Sequence, residues 1–235
     1  DASLENEELW HSEVFQYMEA DIGMRYGTRD YLRVIRESKQ RVDIPVIASI
    51  NCKSPKWWLS FAEEVAAAGA DALELNIALM PHNVTTTAEE LERAHEQIVF
   101  SASRAADIPV AVKLPPYFTS LPNIAGRLQC AGAAGFVLFN RLFRPSISTA
   151  SIAVEQKPED RYSSPGEFAP SLRAIATIAG RVQADLAAAT GIHDGDAVIQ
   201  ALLAGASAVQ VVSAPDRHGL GILHGMRKTL EAWMD

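Results

Sequence analysis

The chain has 235 residues, of which 48% are apolar, and a formal net charge of −8. That length suits one large domain, and an acidic balance without a basic cluster argues against sequence-independent nucleic-acid binding. No apolar run approaches the ~20 residues of a membrane helix, and the opening acidic residues Asp1, Glu5, Glu7 and Glu8 are unlike a signal peptide, so the protein reads as cytoplasmic. Cys52 and Cys130 lie too far apart for a metal or redox pair.

Thr28–Val42 reads as a helix after a loop-rich, acidic start. Pro45–Ile50 reads as a strand, and Ser54-Pro55 as an N-cap with proline in the first helical position, opening a helix to about Ala68. Gly69-Ala70 then stops that helix, and Ala72–Asn76 is the next strand. Glu89–Ala106 is helical. Pro109–Leu114 is a strand with the same header as the first, Asp107-Ile108-Pro109-Val110 echoing Asp43-Ile44-Pro45-Val46. Asn123–Ala131 is a short helix, stopped at Gly132-Ala133 and followed by the strand Phe136–Asn140. Arg141–Pro170 is a long irregular connection, which we read as a lid over the strand ends, with plain disorder as its alternative. Ser171–Ala179 is helical, Gln183–Ala189 a strand and Asp194–Ala204 a helix. After a third boundary at Gly205-Ala206, Ala208–Ser213 is a strand and Gly221–Met234 a terminal helix.

Alternating strand and helix argues for a parallel sheet, and the absence of a G-x-G-x-x-G turn argues against a dinucleotide fold. About six βα units are present. We therefore expect an α/β fold, a (β/α)8 TIM barrel filling residues 1–235 as one domain, with its first two strands absent and residues 141–170 inserted as the lid. In such barrels the chemistry sits where strands end. Lys113 closes one buried run, and a cation there either faces a ligand or snorkels to solvent. Asn76 and Asn140 close two others and offer the mixed donor and acceptor edges that suit a planar heterocycle; each could instead cap its own loop. Thr190-Gly191 and Val212-Ser213-Ala214 follow the last two strands, where barrels bind phosphate through backbone N–H groups. Asp194 reads as a plain N-cap and Trp57-Trp58 as packing. Cys52 reads as inert, His82 and His193 stay open, and the six histidines show no metal-ligand spacing.

These segments together resemble the dihydroorotate dehydrogenase family, and its dihydroorotate dehydrogenase-like subgroup most closely. Ala111-Val112-Lys113-Leu114-Pro115-Pro116-Tyr117-Phe118 is similar to a signature of its soluble branch. Leu73–Asn76, Val137–Arg141, Ala189–Ile192, Ala208–Ala214 and the Trp233-Met234 ending follow in the expected order. The resemblance implies an FMN barrel that oxidises dihydroorotate or a related dihydropyrimidine in pyrimidine biosynthesis. It implies Lys113 at the flavin ring, Asn76 and Asn140 on the pyrimidine or flavin edge, and Thr190, Gly191, Val212, Ser213 and Ala214 around the FMN phosphate. It also implies a small-molecule substrate and a homodimer.

This sequence departs from the family in two places. A cysteine or serine base belongs a few residues after the strand-end asparagine, where Leu79 or Met80 stands here, and neither takes a proton. Losing such a base costs about 10²–10⁴ in rate. His82, Cys52 or one of Thr85–Thr87 would have to replace it. The phosphate loops carry Thr190 and Val212 where the family commonly has glycine. The resemblance therefore implies FMN binding more strongly than dihydroorotate oxidation. A barrel aldolase or isomerase with Lys113 as Schiff-base lysine, and a non-catalytic FMN-binding protein, remain the alternatives.

Overall fold

A computed structural model of the chain describes residues 27–51, 55–79, 84–141, 146–155 and 161–235. Among these residues the elements run α1 (Thr28–Arg41), β1 (Ile47–Ile50), α2 (Pro55–Ala67), β2 (Ala72–Asn76), α3 (Ala88–Ala105), β3 (Val110–Leu114), α4 (Leu121–Cys130) and β4 (Gly135–Leu138). A hairpin of β5 (Ser146–Ser148) and β6 (Ala153–Glu155) follows. Then come a 3₁₀ turn (Pro165–Glu167), α5 (Phe168–Ile178), β7 (Asp185–Ala189), α6 (Gly195–Leu203), β8 (Ala208–Gln210), α7 (Ser213–His218) and α8 (Gly221–Met234).

β1, β2, β3, β4, β7 and β8 pair in that order, all parallel. The fold is a partial (β/α) barrel of six strand–helix units, as the alternating pattern predicts. Two helices, α4 and α6, end by the same device. Gly132 takes φ +113° and donates to Gln129 O while Ala133 donates to Leu128 O; Gly205 (φ +110°) and Ala206 repeat this on Leu202 O and Ala201 O. This Schellman pairing satisfies the last helical carbonyls and turns the chain straight into the next strand. Gly69, at φ +93° and donating to Ala66 O, closes α2 at the equivalent place.

The register divides the strands into two faces, because paired residues of a parallel ladder project to the same side. Leu73, Leu75, Val110, Val112, Leu114, Phe136 and Leu138 face the helices and are buried. The opposite face carries Ser49, Glu74, Asn76, Ala111, Lys113, Gly135, Val137, Ala187, Ala189 and Gln210. It is thus polar or small-chained almost throughout.

That inner face is strongly curved. β2 and β8 are four strands apart in the sheet, which would separate them by about 19 Å in a flat sheet. Gln210 on β8 nevertheless donates through Nε2 to Glu74 Oε2 on β2. Only a sheet rolled toward closure brings those side chains together.

Three expectations need correction. The 141–170 connection is not structureless: it holds the β5–β6 hairpin and the 3₁₀ turn, and α5 begins inside it at Phe168. β4 ends at Leu138, so Asn140 lies two residues past the strand rather than closing it. β8 ends at Gln210, and Ser213 opens α7 instead of ending the strand. Cys52, Ser54, Met80 and His82 lie outside the described residues.

Candidate active site

The strand-end positions converge at one mouth of the curved sheet. A cleft of about 170 Å³ is lined by Lys113, Asn140, Thr190, Gly191, Gln210, Val212 and Ser213, together with Arg141, Arg161 and Ser163. This is below the ~300–1,000 Å³ of sites that enclose a whole drug-sized ligand. Asn76 and Ala214 are not among the lining residues. Ala214 is fully buried, and Asn76 pairs in register with Lys113 one strand away, its Oδ1 buried without a hydrogen-bond partner.

Lys113 is the centre of the polar floor. Its side chain is 19% exposed, and Nζ donates to Gln210 Oε1 at 2.8 Å. The carboxylate of Glu74, 5% exposed, lies 3.8 Å from the same nitrogen. Glu74 also accepts from Ser49 Oγ at 2.7 Å and from the Gln210 amide. The ammonium therefore neither snorkels to solvent nor stands alone. Four side chains from β1, β2, β3 and β8 join in one network. Glu74 and Gln210 were missed by sequence reasoning, although each is a long polar residue inside an otherwise apolar or small-residue strand. That interruption was the available signal. Tyr31 adds an outer contact, donating to Ser49 O at 2.8 Å; burial first, and then the Glu74 charge, push its hydroxyl pKa above the usual tyrosine value.

The loop after β7 is built by backbone constraint. Thr190 and Gly191 hold φ of +71° and +81° in succession. Thr190 Oγ1 donates to Phe139 O at 3.0 Å, which offsets part of the cost of a branched residue in that region. Gly191 has no room for a side chain, because a Cβ would sit 2.3 Å from Phe168 N. Asp194 caps α6 by accepting from Ala197 N at 2.9 Å, the plain structural role expected of it. Val212 lines the open edge of the cleft and is 73% exposed.

The far side of the cleft comes from the connection before α5. Ser163 N donates to Ser213 Oγ at 2.9 Å, and Ser163 Oγ lies 3.1 Å from both Ser213 Oγ and His193 Nε2. His193 is thus tied into the wall instead of standing free. Arg141 donates to Glu167 at 3.1 Å, and Arg217 stacks on Tyr162. Leu79, one of the two residues expected where the family carries its base, is half-buried, and its carbonyl accepts from Tyr117 OH at 2.7 Å. Among the described residues no three His, Cys, Asp or Glu side chains cluster as a metal site, and no helix is long and apolar enough to cross a membrane.

The family model described as dihydroorotate dehydrogenase matches residues 20–234. The chain belongs to the dihydroorotate dehydrogenase family. A dihydroorotate dehydrogenase B (NAD(+)) catalytic subunit of Methanopyrus kandleri is 33% identical over 205 residues, covering 80% of this chain and 61% of the relative. The corresponding catalytic subunit of Methanothermobacter thermautotrophicus is 28% identical, covering 86% of this chain and 69% of its own length. A crystal structure of a dihydroorotate dehydrogenase from Eimeria tenella with ferulenol superposes with a TM-score of 0.63 at 16% identity, over 86% of this chain and 62% of the other. That likeness supports the barrel fold. The chain thus spans roughly two thirds of the length of these dihydroorotate dehydrogenases.

Proposed function

We propose that this protein is an FMN-dependent oxidoreductase of the dihydroorotate dehydrogenase type, acting on dihydroorotate or a closely related dihydropyrimidine. The observation that carries the reading is the partly buried Lys113 ammonium set in one cleft with the Thr190-Gly191 turn and Ser213. A fixed cation at a strand end favours a ligand group that gains negative charge, and a partly desolvated site strengthens that attraction. The donor set fits FMN. Lys113 offers its cation to the ring, the unpartnered Asn76 Oδ1 offers an acceptor beside it, and Thr190, Gly191 and Ser213 line the same cleft where a phosphate would rest.

When bound, FMN supplies the two-electron acceptor that the oxidation needs. Lys113 holds negative charge on the ring side, Asn76 and Asn140 orient the planar substrate by its amide edges, and the Ser163–Ser213 contact closes the cleft wall against water. In this reading the 141–170 connection is a lid whose Arg161 and Ser163 already reach the cleft. Neither Leu79 nor Met80 supplies a proton acceptor, so unless His82, Cys52 or one of Thr85–Thr87 replaces the base the reaction with dihydroorotate is slow, by about 10²–10⁴-fold against a positioned base.

The test is the visible spectrum of the purified full-length protein before and after anaerobic dihydroorotate. A flavin spectrum that bleaches slowly supports the reading. A flavin spectrum that never bleaches leaves FMN binding and sinks dihydroorotate as substrate. A colourless protein whose Lys113 is trapped by borohydride with a carbonyl substrate would replace the oxidoreductase with a Schiff-base lyase.

A further inference from the structure

Lys113 could reach the cleft in many rotamers, since a lysine stem has four rotatable bonds and about 2 kcal/mol of rotamer entropy. Here two neighbours remove that freedom. The Gln210 side chain is used at both ends: Oε1 takes a proton of Nζ, and Nε2 donates to Glu74. Its amide therefore has one orientation, because flipping it would put two donors against the ammonium and an acceptor against the carboxylate. Glu74 is fixed in turn by Ser49 from the adjacent strand. Its carboxylate lies on the inner face, 3.8 Å from Nζ, so the local charge of the pair sums to zero. Neither residue is an ordinary choice for the interior of a buried sheet, where an unpaired polar group costs stability.

We propose that Gln210 and Glu74 are positioning residues for Lys113. Gln210 fixes where the ammonium points, and Glu74 fixes Gln210 and sets how much of the lysine's positive field a ligand in the cleft feels. This deepens the flavin reading and rests on it for its electrostatic part. The geometric part stands on this chain alone. A ligand gaining negative charge beside Lys113 is attracted by the ammonium and repelled by Glu74. Removing the carboxylate's charge while keeping its acceptor should therefore favour the charged form of the ligand.

Two measurements separate the parts. The first is ¹⁵N NMR of the lysine ammonium groups in the protein without flavin, with Lys113→Met for assignment and the exposed Lys228 as reference. Lys113 Nζ should be restricted in the native protein, remain restricted in Glu74→Gln, and become as mobile as Lys228 in Gln210→Met. A native Lys113 as mobile as Lys228 overturns the proposal, whatever the variants do. The second is the midpoint potential of bound FMN in native protein and Glu74→Gln. Reduced, anionic flavin should gain about tenfold in binding relative to the oxidised form, a positive shift of about 30 mV for a two-electron couple. No positive shift overturns the role given to Glu74. A native protein that takes up no FMN would defeat the functional reading, and the NMR comparison would then decide the positioning of Lys113 by itself.

Discussion

At the scale of the single residue, Gly191 shows how tightly this mouth is constrained. A Cβ at that position meets Phe168 N at 2.3 Å and Glu167 C at 2.7 Å, both of them backbone atoms at the start of α5, and φ is +81°. Neither term can relax through a side-chain rotation. Gly191→Ala should therefore lower stability by about 2 kcal/mol or more, read as a lower urea midpoint with unchanged slope. An unchanged midpoint would mean that the α5 N-terminus moves freely, against the packing described. This residue was legible in the sequence because a Thr-Gly pair after a buried strand is a turn in any βα unit. That Lys113 needs a partner was legible for the related reason that a charged group ending an apolar run is costly alone, and the structure gives it Gln210 and Glu74. Glu74 and Gln210 were not, because what makes them tolerable is each other. They lie 136 residues apart in the chain, and no local pattern encodes that pairing.

At the scale of the element, most boundaries could be read because each carries a local chemical mark. Gly69, Gly132, Gly205 and Gly219 end helices at positive φ, and Thr87 opens α3 with a capping box closed by Glu90. The errors fall where tertiary contact decides. β8 is only three residues long, so the apolar pair Val211-Val212 extended it falsely to Ser213. The hairpin in the 141–170 connection was hidden because its strands are three residues each and the one large apolar residue of β5, Ile147, is exposed. α3 holds a feature with a measurable consequence. His95 is fully buried on its inner side, where Nδ1 donates to Leu91 O at 2.8 Å and the ring meets Phe118 edge-on. Its Nε2 has no hydrogen-bond partner, as befits a neutral imidazole lone pair in an apolar contact. Burial lowers the pKa of this histidine below its ordinary value, more than the Leu91 hydrogen bond and the Glu92 charge raise it. The unfolded chain then takes up the proton first, at about pH 6.5, so stability is full above that value and falls as pH drops toward the folded-state pKa. Urea midpoints should decline between pH 7.5 and 5, and His95→Phe should flatten that decline. An identical slope in the variant would assign the pH dependence elsewhere.

At the scale of the whole molecule, the inner and outer faces of the sheet do different work. The outer face is an aliphatic layer under the helices and holds the units together by burial. The inner face is small or polar, and the contacts that span it are the links from Gln210 to Glu74 and Lys113, reaching from β8 to β2 and β3. These links relate the curvature of the sheet to the chemistry of its mouth, since flattening the sheet would break the same bonds that hold the cation. The coupling can be measured. Glu74→Leu removes the acceptor of two donors and leaves a largely buried ammonium with Gln210 as its remaining partner in the network. That should cost about 3 kcal/mol, the usual result of deleting one member of a buried pair. Lys113→Met should cost less, because Glu74 keeps Ser49 and Gln210 as donors. In the double variant the cation is gone along with its counter-charge, and two apolar side chains of similar volume fill the space. Its loss should therefore fall short of the sum of the single losses by at least about 1 kcal/mol, well outside the ~0.5 kcal/mol within which independent sites add. Strict additivity in urea denaturation would show that Glu74 and Lys113 do not sense each other in solution, and that the curvature of the sheet is set by the aliphatic layer alone.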